Sequence, residues 1–179
     1  MPDPDASSPT NAPLAYRQAL ERRDLDGLLN AVTPDVLLRS PITQSFSFAG
    51  REQFRSLYSA VFQAISEFHV SEEIAGAADV RVLRVEGTVG GVSFQELQLL
   101  RLDEQGRVSE LTLFFRPLPA LPALAHSLAG PLIAARSPMR ARLLKLLIGP
   151  LVLMTRVGDR IVTRLLGGIP GMVSTTPPS

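Results

Sequence analysis

Residues 92–116, VSFQELQLLRLDEQGRVSELTLFFR, alternate in character along most of their length and break once, at Glu104-Gln105-Gly106. A period of two is the pattern of a half-buried strand, and a glycine-containing break between two such runs marks a turn. The stretch therefore reads as two neighbouring strands, 92–103 and 107–116. Phe94, Glu96, Gln98 and Leu100 share one face of the first, and Leu111, Leu113 and Phe115 share one face of the second. Gly90-Gly91 marks an earlier turn, and 79–89 and 68–75 carry the same period. Four long strands in succession, joined by short turns, make an antiparallel meander.

Upstream of residue 67 the period is helical. Residues 14–23 read as one helix and 25–32 as a second, with Leu25, Leu28, Leu29 and Val32 on one side and Asp24 placed to cap its start. A short strand, 36–39, ends at Ser40-Pro41, because a residue before proline leans extended. Residues 45–48 read as another short strand. A longer helix spans 51–65, with Phe54, Leu57, Tyr58, Val61, Phe62 and Ile65 at i, i+3, i+4 spacing. Helices first and a meander after define an α+β domain. A curved antiparallel sheet wrapped on N-terminal helices encloses a cone, whose interior is a natural ligand cavity.

Composition narrows the function. The 179 residues include no cysteine, which excludes disulfides, thiolate metal sites and cysteine nucleophiles. The two histidines, His69 and His126, are too few for a histidine-rich metal site. His69 alternates with Phe68 and Val70 and faces outward. There is no tryptophan, the aromatic content is 6% and the net charge is +1, so no nucleic-acid partner is expected. No phosphate-binding loop, dinucleotide fingerprint, nucleophile elbow or zinc-protease motif is present, and no cofactor or metal is implied. Arg84 and Glu86 read as a surface charge pair.

The small net charge hides an asymmetry. Residues 126–179 carry seven basic groups and one acid, Asp159, whereas residues 1–125 carry 11 basic and 16 acidic groups. The expected organisation is a disordered leader over 1–11, the α+β domain over 12–117, a helical basic amphipathic extension over 118–170 and a disordered tail over 171–179. The extension should be broken near Pro131, Pro138 and Pro150. The uncharged run 117–135 is long enough to raise the question of a membrane span, but four prolines interrupt it. Arg156, Arg160 and Arg164 recur at i+4 as a basic stripe. Such an element suits an anionic membrane surface or covers an opening on its own acidic domain. With no targeting signal, the chain is expected to be cytoplasmic, peripheral to a membrane if the stripe docks there.

Residues 16–41, YRQALERRDLDGLLNAVTPDVLLRSP, resemble the opening of SnoaL-like and ketosteroid-isomerase-like proteins of the nuclear transport factor 2-like superfamily. Residues 98–115 resemble the last hairpin of that fold, and with the helix after Gly50 the resemblance covers about 12–117. It implies the cone fold, a hydrophobic small molecule as partner, and a homodimer through the outer sheet face. It places an oxyanion-donating tyrosine on Tyr16, a second donor on Gln98 and the proton-moving carboxylate on Ser40, which has no carboxylate. That donor logic is the one the resemblance to ketosteroid isomerases implies. Glu96 shares the Gln98 face and is the candidate replacement base. Ser40, Tyr58, Phe62, Phe94, Leu100, Leu111, Leu113 and Phe115 are the expected cavity lining. Two functions follow: an isomerase- or cyclase-type enzyme acting on a hydrophobic carbonyl or polycyclic molecule, or a non-catalytic binder of lipid-like ligands held at a membrane by its tail.

Overall fold

The computed structural model describes residues 15–133 apart from 46 and 78, and beyond them 146, 148–155, 157–158, 161–162 and 164. The chain runs α1 (Ala15–Glu21), α2 (Leu25–Asn30), β1 (Val32–Arg39), β2 (Ser47–Ala49), α3 (Gly50–Ala64), β3 (Ile65–Ala75), β4 (Val80–Val89), β5 (Val92–Leu102), β6 (Val108–Arg116) and α4 (Ala120–Ile133). One six-stranded curved sheet, in the order β2-β1-β6-β5-β4-β3, packs against α3 and α4.

The local reasons are visible. Asp24 caps α2, its side chain accepting from the Gly27 amide at 2.9 Å. A Cβ on Gly27 would fall 2.5 Å from Asp24 Oδ2, so only glycine admits this cap. Arg23 turns the chain between α1 and α2 at φ 53°. Its guanidinium then donates to the carbonyls of Phe62 and Ile65, where α3 ends without a basic residue of its own. α3 buries Phe54, Leu57, Tyr58 and Ala60 against the sheet.

Two expectations need correction. The sheet is mixed rather than antiparallel throughout: β1 runs parallel to β6, pairing Leu38 with Leu111. β1 also begins at Val32 and not at residue 36. Its register with β6 shifts between Val32 and Leu37, on either side of Pro34, which cannot donate to a ladder. The second correction is Pro131, which lies inside α4 rather than breaking it. It falls in the last turn, so the helix forfeits the bond from residue 131 to the Ser127 carbonyl with only two residues left to run. Residues 134–145, and Pro138 with them, lie outside the described residues, as do the expected leader 1–11 and tail 171–179. Pro150 sits within a helical stretch.

Candidate active site

β5 sets the site. Along it Phe94, Glu96, Gln98 and Leu100 are buried, while Ser93, Leu97 and Arg101 face out. Two polar residues thus point into an otherwise apolar interior, and each needs a partner. Tyr16, from α1, donates its hydroxyl proton to Gln98 Oε1 at 3.1 Å. Tyr58, from α3, lies 2.6 Å from the Tyr16 hydroxyl. A phenol has one proton, so a Tyr16 that donates to Gln98 must accept from Tyr58. Gln98 Nε2 in turn donates to Glu96 Oε1 at 2.5 Å. The result is one directed chain, Tyr58 to Tyr16 to Gln98 to Glu96. Its members are 3%, 1%, 2% and 7% exposed, so water reaches none of them freely.

Burial decides their protonation. It pushes the Glu96 carboxyl up to about 7, with the Gln98 hydrogen bond offsetting part of the effect. Both phenols rise above the ordinary tyrosine value, first through burial. The Glu96 charge adds to the rise at Tyr58, and the neighbouring Tyr58 adds to it at Tyr16. The tyrosines therefore stay protonated near neutral pH. Glu96 is the member that can take up or release a proton there.

A cavity of about 430 Å³ adjoins this chain, within the usual range of small-molecule sites. Tyr58, Glu96 and Gln98 line its buried end. Ser40 and Thr43 line it from the loop after β1, and both hydroxyls accept backbone N–H groups, from Ile42 and Ser45. The remaining lining is apolar, including Leu57, Val61, Phe68 and Leu113. One wall comes from the C-terminal extension, for which the sequence left open a membrane surface or an opening on its own domain. Leu124, Leu128 and Leu132 recur at i+4 on α4 with Ala125 and Ala129 beside them, and this row closes the cavity together with Ile148. Within the uncharged run, Ala120–Ile133 is thus a helix that faces a cavity and the sheet. Among the described residues no helix is long and apolar enough to cross a membrane.

The sequence-expected residues divide. Tyr16 and Gln98 meet, and Glu96 joins them. Tyr16, however, lies one layer behind the cavity, and Tyr58, read beforehand only as wall, stands in front of it. Of the expected lining, Ser40, Tyr58 and Leu113 reach the cavity, and five residues pack elsewhere. Leu100 and Leu111 are fully buried, paired across β5 and β6. Phe94 and Phe115 stack on one another at 4.5 Å, with Phe94 over Gly87, where a Cβ would come within 3.0 Å of the ring. Phe62 packs edge-on against Tyr58 and Phe68. Outside the site, Arg84 pairs with Glu86 along β4 at 2.8 Å, and His69 is exposed beside Glu86. Of the basic stripe, Arg164 is exposed, whereas Arg156 and Arg160 lie outside the described residues.

A cone of this kind, hollow and apolar with a short polar chain at its buried end, defines a small-molecule fold of the nuclear transport factor 2-like type. The chain belongs to the SnoaL-like domain family, whose model matches residues 14–111. Among solved structures it is similar to a steroid delta-isomerase from Pseudomonas aeruginosa. The two are 26% identical with a TM-score of 0.62, over 67% of this chain and 88% of that one. It shares its fold with a cystatin-like-fold protein from Silicibacter pomeroyi DSS-3, at 21% identity and a TM-score of 0.60, over 73% of this chain and 88% of that one. No curated protein matches it in sequence.

Proposed function

We propose that this protein is an isomerase- or cyclase-type enzyme that moves a proton beside the carbonyl of a hydrophobic, ring-containing small molecule. One observation carries the reading: among the described residues, the buried polar side chains lining the cavity all belong to a single hydrogen-bonded cluster that ends in a near-neutral carboxyl. The α-carbon of a ketone is bonded to its carbonyl carbon, so a base and an oxygen donor must stand side by side. Glu96 and its neighbours Gln98 and Tyr58 do so. In the step envisaged, the α C–H bond breaks, its proton passes to the Glu96 carboxylate and its electron pair moves into an enolate. The enolate oxygen takes hydrogen bonds from Tyr58 and from the second N–H of Gln98. Each such donor in a dry site contributes roughly 3–4 kcal/mol. Tyr16 acts as a positioning residue through both. Ser40 is no base: it has no carboxylate, and its hydroxyl is engaged by the Ile42 amide. The similarity to a protein named as a steroid delta-isomerase supports a polycyclic ligand. The test is solvent deuterium exchange into the α-positions of a panel of polycyclic ketones, followed by NMR. Exchange that depends on Glu96 supports the reading, and no exchange with any bound ketone defeats it.

A second reading, binding without catalysis at a membrane, has its own support. Leu146, Leu153, Met154, Ile161 and Val162 are exposed apolar side chains on a stretch that also places Ile148 against the cavity. The surrounding sequence is basic. Leu97 and Phe114, paired across the outer face of β5 and β6 and 45% and 55% exposed, offer a surface for a second copy. Light scattering with and without anionic vesicles tests both. A mass of two chains that falls to one in Phe114→Asp supports the dimer, and a monomeric wild type sinks it. Salt-reversible vesicle binding supports the membrane reading, and no binding at low salt ends it.

A further inference from the structure

The polar cluster has a direction, and the direction is reversible. As built, every proton in it points toward Glu96: Tyr58 gives to Tyr16, Tyr16 to Gln98 Oε1 and Gln98 Nε2 to Glu96. This arrangement requires Glu96 to be an acceptor, and it leaves Tyr58 with no proton to offer a ligand. The carboxamide of Gln98 is the one member whose two ends have the same shape and opposite polarity. Turned by a half rotation, it would accept from a protonated Glu96 and donate to Tyr16. Tyr16 would then donate to Tyr58, and the Tyr58 proton would point into the cavity.

We propose that Gln98 is a reversing switch: protonation of Glu96 flips its amide, and the flip converts Tyr58 from a group that offers the ligand only lone pairs into a hydrogen-bond donor. The cavity therefore selects its ligand's oxygen chemistry according to the state of Glu96. A ketone, which can only accept, binds best when Glu96 carries a proton drawn from solvent. A secondary alcohol, which both accepts and donates, finds a partner in either state. The same device would couple the two halves of the proposed reaction. When Glu96 takes the α-proton, the chain turns and the intact Tyr58 O–H donates its hydrogen bond to the enolate oxygen just formed.

The surroundings favour Glu96 as the group that sets the direction. Tyr16 from α1 and Tyr58 from α3 face the cluster, and both are held protonated. Glu96 is flanked in the sheet by Val85 on β4 and Phe115 on β6. The wall from α4 is leucine and alanine, and the loop after β1 adds Ser40 and Thr43. Among the described residues lining the cavity there is no arginine, lysine, histidine or second carboxylate. The carboxyl, raised by burial to about 7, changes state within the range where the protein can be handled.

The inference rests on the reading that a ligand's oxygen docks at this end of the cavity, and the experiment separates the two. Affinities of one polycyclic ketone and of its secondary alcohol are measured on the full-length protein from about pH 5 to 9. For a ligand that binds only the protonated state, affinity falls up to about tenfold per pH unit once pH exceeds the carboxyl's value, and stays level below it. The ketone should follow this course while the alcohol stays nearly level. In Glu96→Gln, whose amide can donate at any pH, ketone affinity should be level and close to the wild-type value at low pH. In Gln98→Met the ketone's pH dependence should disappear. A ketone that binds with the same affinity across the range, or whose decline the alcohol copies, overturns the switch while leaving the docking reading in place. Failure of both ligands to bind at any pH overturns the docking reading and the switch with it. The wild-type comparison decides the matter even if a variant fails to fold.

Discussion

Replacing Glu96 with glutamine should lower α-proton exchange into bound ketones by roughly 10²–10⁴-fold, the usual contribution of a positioned general base. Glutamine keeps the shape and the hydrogen bond to Gln98 but cannot accept the proton. Binding should survive, so the loss should appear in turnover and not in affinity. The same variant should gain stability at alkaline pH. The folded-state value of Glu96 is raised to about 7 from 4.5, so the fold favours the neutral form. Its contribution to stability is complete below the unfolded value and is lost as pH rises through the folded one. Denaturant unfolding should therefore show the wild type weakening between acid and mildly alkaline pH, with Glu96→Gln lacking that decline. An unchanged exchange rate would remove Glu96 from the chemistry. Exchange should also rise with pH through neutrality as the base ionises, opposite in sign to the ketone's affinity.

Phe54→Ala should destabilise the protein by about 3–5 kcal/mol, measured by denaturant or thermal unfolding, because truncating a buried aromatic ring removes its transfer free energy and leaves a cavity. Phe54 is fully buried and stacks on the Tyr58 ring at 4.4 Å. The loss should thus reach the site: Tyr58 loses one side of its packing, and ketone affinity should fall in whatever fraction remains folded. A cost below about 1 kcal/mol would mean that the interior of α3 closes over the gap, which a close-packed core does not readily do.

Much of this architecture was legible because two periods carry it. The period of two located β3 to β6 within a few residues, and the helical period located α3. The face shared by Glu96 and Gln98 follows from strand parity alone. The sheet's mixed character was not legible. Residues 36–39 announce a strand but not its neighbour, and the apolar spacing through Val32 made the start of β1 look like the end of α2. The cavity wall from α4 was one of two alternatives left open, because an uncharged run with prolines has several physical meanings, and only packing distinguishes a membrane segment from a helix buried on a sheet. Tyr58 shows the same limit at the site. Between Phe54 and Phe62 on an amphipathic helix it reads as one more apolar contact. Its role depends on where a hydroxyl 42 residues away in sequence comes to rest. Leu100 and Leu111 were misjudged in the other direction: alternation places them inward but does not distinguish solid core from cavity lining.

The most direct measurement is the carbonyl stretching frequency of a polycyclic ketone bound to the protein, isolated by infrared difference spectroscopy with a ¹³C-labelled carbonyl. With its oxygen held by Tyr58 and Gln98 the bond is polarised, and the band should move below its position in hydrocarbon solvent, with part of that displacement lost in Tyr58→Phe. A bound ketone whose band stays at the hydrocarbon position in the wild type would mean that the ligand's oxygen does not meet these groups, and the chemistry assigned to them would fall.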